Sequence, residues 1–413
     1  MGKAKSITFG NDLKHLGIFW RKYMKKIIAI VVAFVVVIGA VIGFGVSKKS
    51  ADKTSDVITI GGVFDTSGNA SAYGQAEQKG ANFAVKRINK AGGIKINGKS
   101  YQVKIVNKDS KSDNTEAASV TTSLISNTKV NAIVGPVTTA ATQAAVPAAT
   151  KGQTPMMSPT AGADDITVQK NGKVQPYVFR AQFKNSYLGT KMAQFATDNV
   201  KAKDVVIFQD NSSDYGTGIT NAFKKAYKGH VVETDSYQAG DKDFQAMLTK
   251  IKNQKFDAIV INGYYNEAGA ILKQARDMGI NVPVIGPDGL GDPKLAEIAG
   301  NKNTSDVYYA AHFSTKAPAT DAAEPFVTAY KKSYKQESSQ FTALAYDAVY
   351  MIKQAIENEK SADKAKITAG LAKIKNFDGV TGKMTMDAFH NPKKSIVMVG
   401  VTNGKDTTAT VVK

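Results

Sequence analysis

The sequence predicts an α/β protein of two lobes, each built on a parallel sheet, with one N-terminal transmembrane helix ahead of them. Three observations carry that expectation. A chain of 413 residues is longer than one hydrophobic core usually serves, so it divides. From Val57 onward, short runs rich in β-branched residues alternate with stretches of helical period, in two successive sets. Before them lies an uninterrupted apolar segment of membrane length.

That segment is residues 27–46 (IIAIVVAFVVVIGAVIGFGV), with no charged or hydrogen-bonding side chain. As a helix it spans about 30 Å, the thickness of a bilayer core. Lysine and arginine crowd its N-terminal side, which places residues 1–26 in the cytoplasm and the remainder outside. The alternative is a cleavable secretory signal, since Met24-Lys25-Lys26 resembles the start of one. The long apolar run without an A-x-A site favours a retained anchor. Residues 47–56 read as a polar tether.

Candidate strands follow at residues 57–64 (VITIGGVF), 103–107 (VKIVN), 130–134 (VNAIV), 205–208 (VVIF), 258–261 (AIVI) and 282–285 (VPVI). Between them, Ala81, Ala84, Val85 and Ile88 fall on one helical face, as do Phe244, Met247, Leu248 and Ile251, and Ala268, Ile271, Leu272 and Ala275. This alternation predicts βαβ units with right-handed crossovers. A helical stretch, chiefly residues 322–334 and 343–359, precedes short β runs at 383–386 and 396–401. So long a remainder implies that the chain crosses back between lobes. The expected division assigns residues 57–180 and about 312–379 to lobe 1, and residues 181–311 and about 380–413 to lobe 2.

Composition narrows the function. Cysteine is absent, which removes disulfides, thiol catalysis and cysteine-held metal centres. The net charge is +19, of which residues 1–50 supply +8 from nine lysines and arginines against Asp12. The other lysines are scattered without the clustering of a nucleic-acid groove, and no nucleic-acid partner is expected. The four histidines, His15, His230, His312 and His390, are far apart and lack metal-ligand spacing. No P-loop, G-x-S-x-G or H-E-x-x-H motif occurs. Neither a catalytic constellation, a cofactor nor a metal is expected.

Ligands of open parallel sheets bind beyond the carboxyl ends of the strands, so the turns there hold the candidate residues. Gly135-Pro136-Val137-Thr138-Thr139 leads into a helix, where hydroxyls and free backbone N–H groups suit a carboxylate. Thr138 or Thr139 is equally readable as a simple N-cap. Ser158-Pro159-Thr160-Ala161-Gly162 forms a second such turn, or an ordinary loop. Tyr264 follows one strand and reads as a cleft wall or a half-buried core residue. Asp288, in Gly286-Pro287-Asp288-Gly289, reads as a turn aspartate or as the partner of a ligand ammonium. Tyr73-Gly74 and Tyr215-Gly216 open two further helices.

Eight ordered blocks carry a family resemblance: Ser71-Ala72-Tyr73-Gly74, Ala91-Gly92-Gly93-Ile94, Val134-Gly135-Pro136, Ser158-Pro159-Thr160-Ala161, Tyr215-Gly216-Thr217-Gly218, Gly240-Asp241-Lys242-Asp243-Phe244, Gly263-Tyr264 with Glu267, and Ile285-Gly286-Pro287-Asp288-Gly289. Through them the chain resembles type I periplasmic-binding proteins of the leucine/isoleucine/valine-binding group, from Val57 to about residue 400. The resemblance implies a flytrap of two Rossmann-like lobes joined by three crossovers. It implies capture of a neutral, branched-chain amino acid and delivery to an ABC importer, so the partners are a membrane permease with cytoplasmic ATPases. It places Thr139, Thr160 and Gly162 on the ligand carboxylate, with the turn also reaching the ammonium. Asp288 falls on the ammonium, and Tyr73, Tyr215 and Tyr264 line the cleft. Gly162 departs from the pattern by offering no hydroxyl, and Asp288 is one methylene shorter than the glutamate of some members. A membrane-tethered sensor of the same fold is the alternative function.

Overall fold

In the computed structural model, residues 57–169 and 171–412 are described. The expected transmembrane segment and tether fall outside them. Among the described residues, no helix is long and apolar enough to cross a membrane.

The apolar runs form parallel strands because both of their faces are covered by helices. In lobe 1 they are β1 (Val57–Phe64), β3 (Lys99–Asp109), β4 (Ala132–Val134), β5 (Met156–Ser158) and β6 (Val178–Arg180), with the short antiparallel β2 (Ile94–Ile96) at the edge. The sheet order is β2-β3-β1-β4-β5-β6. Ile60 of β1 pairs with Ile105 on one side and Ala132 on the other. The helices are α1 (Ser71–Lys90), α2 (Asn114–Ser126) and α3 (Thr139–Lys151). The expected apolar face of α1 is buried through Ala81, Ala84, Val85 and Ile88.

Lobe 2 repeats the plan with α4 (Asn185–Asp198), β7 (Asp204–Asp210), α5 (Asp214–Ala226), β8 (His230–Tyr237), α6 (Gln245–Ile251), β9 (Ala258–Asn262), α7 (Tyr265–Asp277), β10 (Val284–Gly286), α8 (Lys294–Ala299) and β11 (Val307–Ala311). The chain then returns to lobe 1 as α9 (Ala323–Tyr334), α10 (Gln340–Glu359) and α11 (Lys364–Ala372), with α10 packed along α1. A small sheet of β12 (Phe377–Gly379), β13 (Gly382–Met386) and β14 (Pro392–Lys393) follows, and β15 (Ile396–Thr402) and β16 (Lys405–Val412) finish on lobe 2.

Two features depart from the expectation. The sheets are mixed, because β15 joins β11 antiparallel and β16 pairs antiparallel with β15. The small sheet straddles the expected 379/380 division, since Asp378 pairs with Lys383 across it. It is tied to α10, where Asp347 accepts from Val380 and Thr381, and to β6, where His390 stacks on Phe179.

Three segments run between the sheets: residues 181–184, 312–322 and 394–395. They lie side by side. Phe183 of the first stacks on His312 of the second at 3.8 Å between ring centroids. Burial, then the nearby Lys394 of the third, lowers the His312 pKa to about 4.

Candidate functional site

The lobes meet over a small cavity, about 20 Å³ of space open to a water-sized sphere, lined by Tyr73, Val137, Thr138, Thr160, Tyr215, Tyr264, Asp288, Gly289 and Phe341. The structure thus brings six of the eight expected residues to one place, although they come from turns far apart in sequence.

The lobe 1 wall is made by the turns after β4 and β5. Gly135 has φ +105°, and a Cβ there would meet Val63 O at 2.1 Å, so glycine lets the chain bend tightly against β1. Thr138 then occupies the N-cap position of α3, but its side chain makes no capping bond. The residue lines the cavity, at the end of the helix whose first amides have no helical acceptor. Thr160 donates toward Val137 O at 2.7 Å, locking the second turn to the first.

Thr139 and Gly162 do not line the cavity. Thr139 is fully buried behind the wall, where its Oγ1 accepts from Gly162 N at 3.2 Å and from Ala163 N at 3.4 Å. Of the two adjacent threonines, Thr138 lines the cavity while the Thr139 hydroxyl serves the neighbouring loop. The N–H expected of Gly162 as a ligand donor is therefore given to Thr139. A Cβ on Gly162 would meet Asn185 Oδ1 at 2.1 Å and Gln182 Nε2 at 2.8 Å, so the position has no room for a threonine as packed.

The lobe 2 wall is aromatic with one carboxylate. Tyr215 and Tyr264 stack in parallel at 4.7 Å, and Tyr73 tilts against Tyr264 at 5.7 Å and Phe341 at 4.6 Å. Tyr215 Oη donates to Asp288 Oδ1 at 2.7 Å and accepts from Gly289 N at 2.9 Å. The second oxygen, Asp288 Oδ2, lies 3.6 Å from His312 Nε2. Gln340 Nε2 donates to Asp288 O at 3.1 Å, and Gln340 Oε1 accepts from His312 N at 3.1 Å. Asp288 therefore connects the cavity to the second crossover.

Burial, the largest cause in each case, raises the Tyr73, Tyr215 and Tyr264 hydroxyls well above the usual tyrosine range. They stay protonated as donors at neutral pH. Lys394, in the third crossover, is lowered by burial to about 7, with Asp347 and Asp288 pulling the other way.

The walls touch. Tyr73 Oη donates to Gly289 O at 2.5 Å and accepts from Tyr265 N at 3.2 Å. At the rim, Tyr265 Oη and Asn266 Nδ2 both donate to Asn69 O, and Gln143 Nε2 donates to Asp214 Oδ2 at 2.9 Å. No group of three or more His, Cys, Asp or Glu that could hold a metal ion occurs among the described residues.

Sequence reasoning did not single out Val137, Gly289 or Phe341 as wall residues. Val137 and Gly289 adjoin residues that it did name, so the turns themselves were the available signal. Phe341 had none, because the return of α10 to lobe 1 is a tertiary event.

A two-lobed α/β clamp with facing hydroxyl and carboxylate walls defines a small-ligand binding protein. The chain belongs to the periplasmic binding protein family, whose model matches residues 57–406. It is similar to the Leu/Ile/Val-binding protein homolog 3 of Brucella melitensis, with 32% identity over 79% of this chain and 86% of that one. Among solved structures, it resembles the branched-chain amino acid transporter substrate binding protein LivJ of Streptococcus pneumoniae in complex with isoleucine. The identity is 45%, the coverage 86% of this chain and 99% of that one, and the TM-score 0.81. The leucine binding protein LivK of Thermotoga maritima matches at 32% identity, with coverage of 86% and 99% and a TM-score of 0.80.

Proposed function

We propose that this protein captures a neutral, branched-chain amino acid outside the cytoplasmic membrane and delivers it to an ABC importer, making and breaking no covalent bond. The observation that carries the reading is the opposition of the two walls. Thr138 and the opening amides of α3 suit the ligand carboxylate, with Thr160 bracing the turn beside them, and Asp288 across the cavity suits its ammonium. Tyr73, Tyr215, Tyr264 and Phe341 leave an apolar surface for an aliphatic side chain. Leucine, isoleucine and valine, for which the relatives are named, have this make-up.

In this reading the mechanism is hinge closure about the three crossovers. A ligand that touches both walls binds the closed arrangement better, and that difference in affinity shifts the population toward it. The closed form docks on a permease served by cytoplasmic ATPases. Residues 27–46 hold the protein at the membrane with the binding lobes outside.

The test is calorimetric titration of ligand-free residues 56–413, the compact unit, with leucine, isoleucine, valine, alanine, an aliphatic amide and a 2-keto acid. The reading expects an aliphatic α-amino acid to bind most tightly. Binding restricted to the amide or the keto acid would keep the clamp and sink the amino-acid assignment. Membrane fractionation of the full chain, with and without residues 27–46, tests the anchor.

A further inference from the structure

The binding reading leaves one buried acid unused. Glu77 on α1 is wholly inaccessible to solvent, and its Oε1 lies within hydrogen-bonding distance of Thr160 Oγ1. That same Oγ1 lies 2.7 Å from Val137 O. A threonine hydroxyl has a single proton, and a carbonyl oxygen can only accept. If Thr160 gives its proton to Val137, the contact with Glu77 holds a proton only when Glu77 supplies it. If Thr160 instead gives its proton to Glu77, two oxygens face each other at 2.7 Å with nothing between them.

The surroundings favour the first arrangement. Glu77 Oε2 is buried without a hydrogen-bond partner, and Glu77 is in none of the described ion pairs. An ionised carboxylate so placed would be a buried charge without compensation. The neutral acid needs only the bond to Thr160. Burial raises the Glu77 carboxyl well above the usual range, the Thr160 bond pulls it back, and the neighbouring Asp65 adds to the rise. Thr160 is clamped from its other end as well, since Gln182 Nε2, in the first crossover, donates to Thr160 O.

We propose that Glu77 is a protonated carboxylic acid that donates to Thr160 and fixes that residue in the wall, so that lobe 1 places no negative charge behind the surface that meets the carboxylate end of an amino acid. Glu77 is a positioning residue. Its consequence for binding rests on the function proposed above, but its protonation does not.

Two measurements need no ligand. At about pH 7, the infrared spectrum of the wild-type protein should contain a protonated-carboxyl carbonyl band that Glu77→Gln abolishes. A folded state that keeps a proton released on unfolding loses stability as pH rises, whereas a glutamine there does not titrate. The melting-temperature advantage of E77Q over wild type should therefore grow from about pH 5 to about pH 8. For binding, E77A should weaken isoleucine about tenfold and E77Q should restore affinity to within about threefold, because an amide N–H replaces the acid proton.

Loss of no carbonyl band overturns the protonation, and an E77Q protein as weak as E77A overturns the positioning role. Should E77Q fail to fold, isotopic labelling of glutamate in the wild type decides the matter, because an absent protonated band overturns the proposal. If no amino acid binds at all, the function fails while the infrared and melting results still stand.

Discussion

The two walls of the cavity are built by different rules. In lobe 1, each contributing turn sits directly at a strand end and is tied to the adjoining turn, with Glu77 of α1 and Gln182 of the first crossover bracing Thr160. In lobe 2, Tyr215, Tyr264 and Asp288 come from three separate strand-to-helix connections and hold one another. Their support reaches into α10 through Gln340, which in turn accepts from the backbone N–H of His312 in the second crossover. The carboxylate end of the proposed ligand therefore meets a locally determined surface. The ammonium end meets a network that exists only when the whole molecule is assembled. This contrast predicts that substitutions in lobe 2 disturb binding and hinge together, whereas those in lobe 1 stay local.

The largest effect is expected from Tyr264→Ala. The ring packs against both Tyr215 and Tyr73, so its loss opens the aromatic wall and leaves Tyr215 unsupported. Cutting a buried aromatic anchor of a binding site to alanine costs about 2–4 kcal/mol of affinity, so isoleucine binding should weaken about a hundredfold by calorimetry. A loss below about threefold would break the claim that lobe 2 acts as a network.

His312 gives a pH test of the same claim. Burial holds it neutral in the fold, with a pKa of about 4, while an unfolded histidine titrates near its ordinary 6.5. Between these values the unfolded state binds a proton that the folded state does not, so stability falls as pH drops from about 6.5 to about 4. The span corresponds to a loss on the order of 3 kcal/mol, all of it present by the lower pH. Thermal unfolding across this range should show a shallower acid-side decline for His312→Gln than for wild type. Equal slopes would mean that the histidine is solvated.

Tyr215→Phe should have the smallest effect of the three. It removes the bonds to Asp288 Oδ1 and Gly289 N while keeping the stacked ring. Affinity should fall about tenfold, with little change in melting temperature. A larger loss would mean that the hydroxyl, rather than the ring, organises this wall.

The same contrast governs what could be read from the sequence. Strands β7, β9 and β10 were legible because burial on both faces makes them nearly continuous apolar runs. Strands β5 and β6, three residues each, are too short to show a period. The edge strands β8 and β16 carry polar residues, such as Glu233, Asp235, Thr407 and Thr408, and so do not read as core.

In the cavity, hydroxyl-rich turns at strand ends were visible, but which of Thr138 and Thr139 faces inward depends on the turn into α3. Phe341 and His312 reach the site only through the crossovers. Glu77 lies among alternating polar and small residues of α1 and looks like a surface position; only the packing of lobe 1 shows it to be enclosed.

The central claim is that Asp288 meets an ammonium while the opposite wall meets a carboxylate. Its most direct test is the affinity of wild type and Asp288→Asn for isoleucine and for the 2-keto acid of the same skeleton, which lacks the ammonium. The account predicts that the substitution weakens isoleucine about a hundredfold and changes the keto acid by less than about threefold. Equal losses for both ligands, or none for isoleucine, would contradict it.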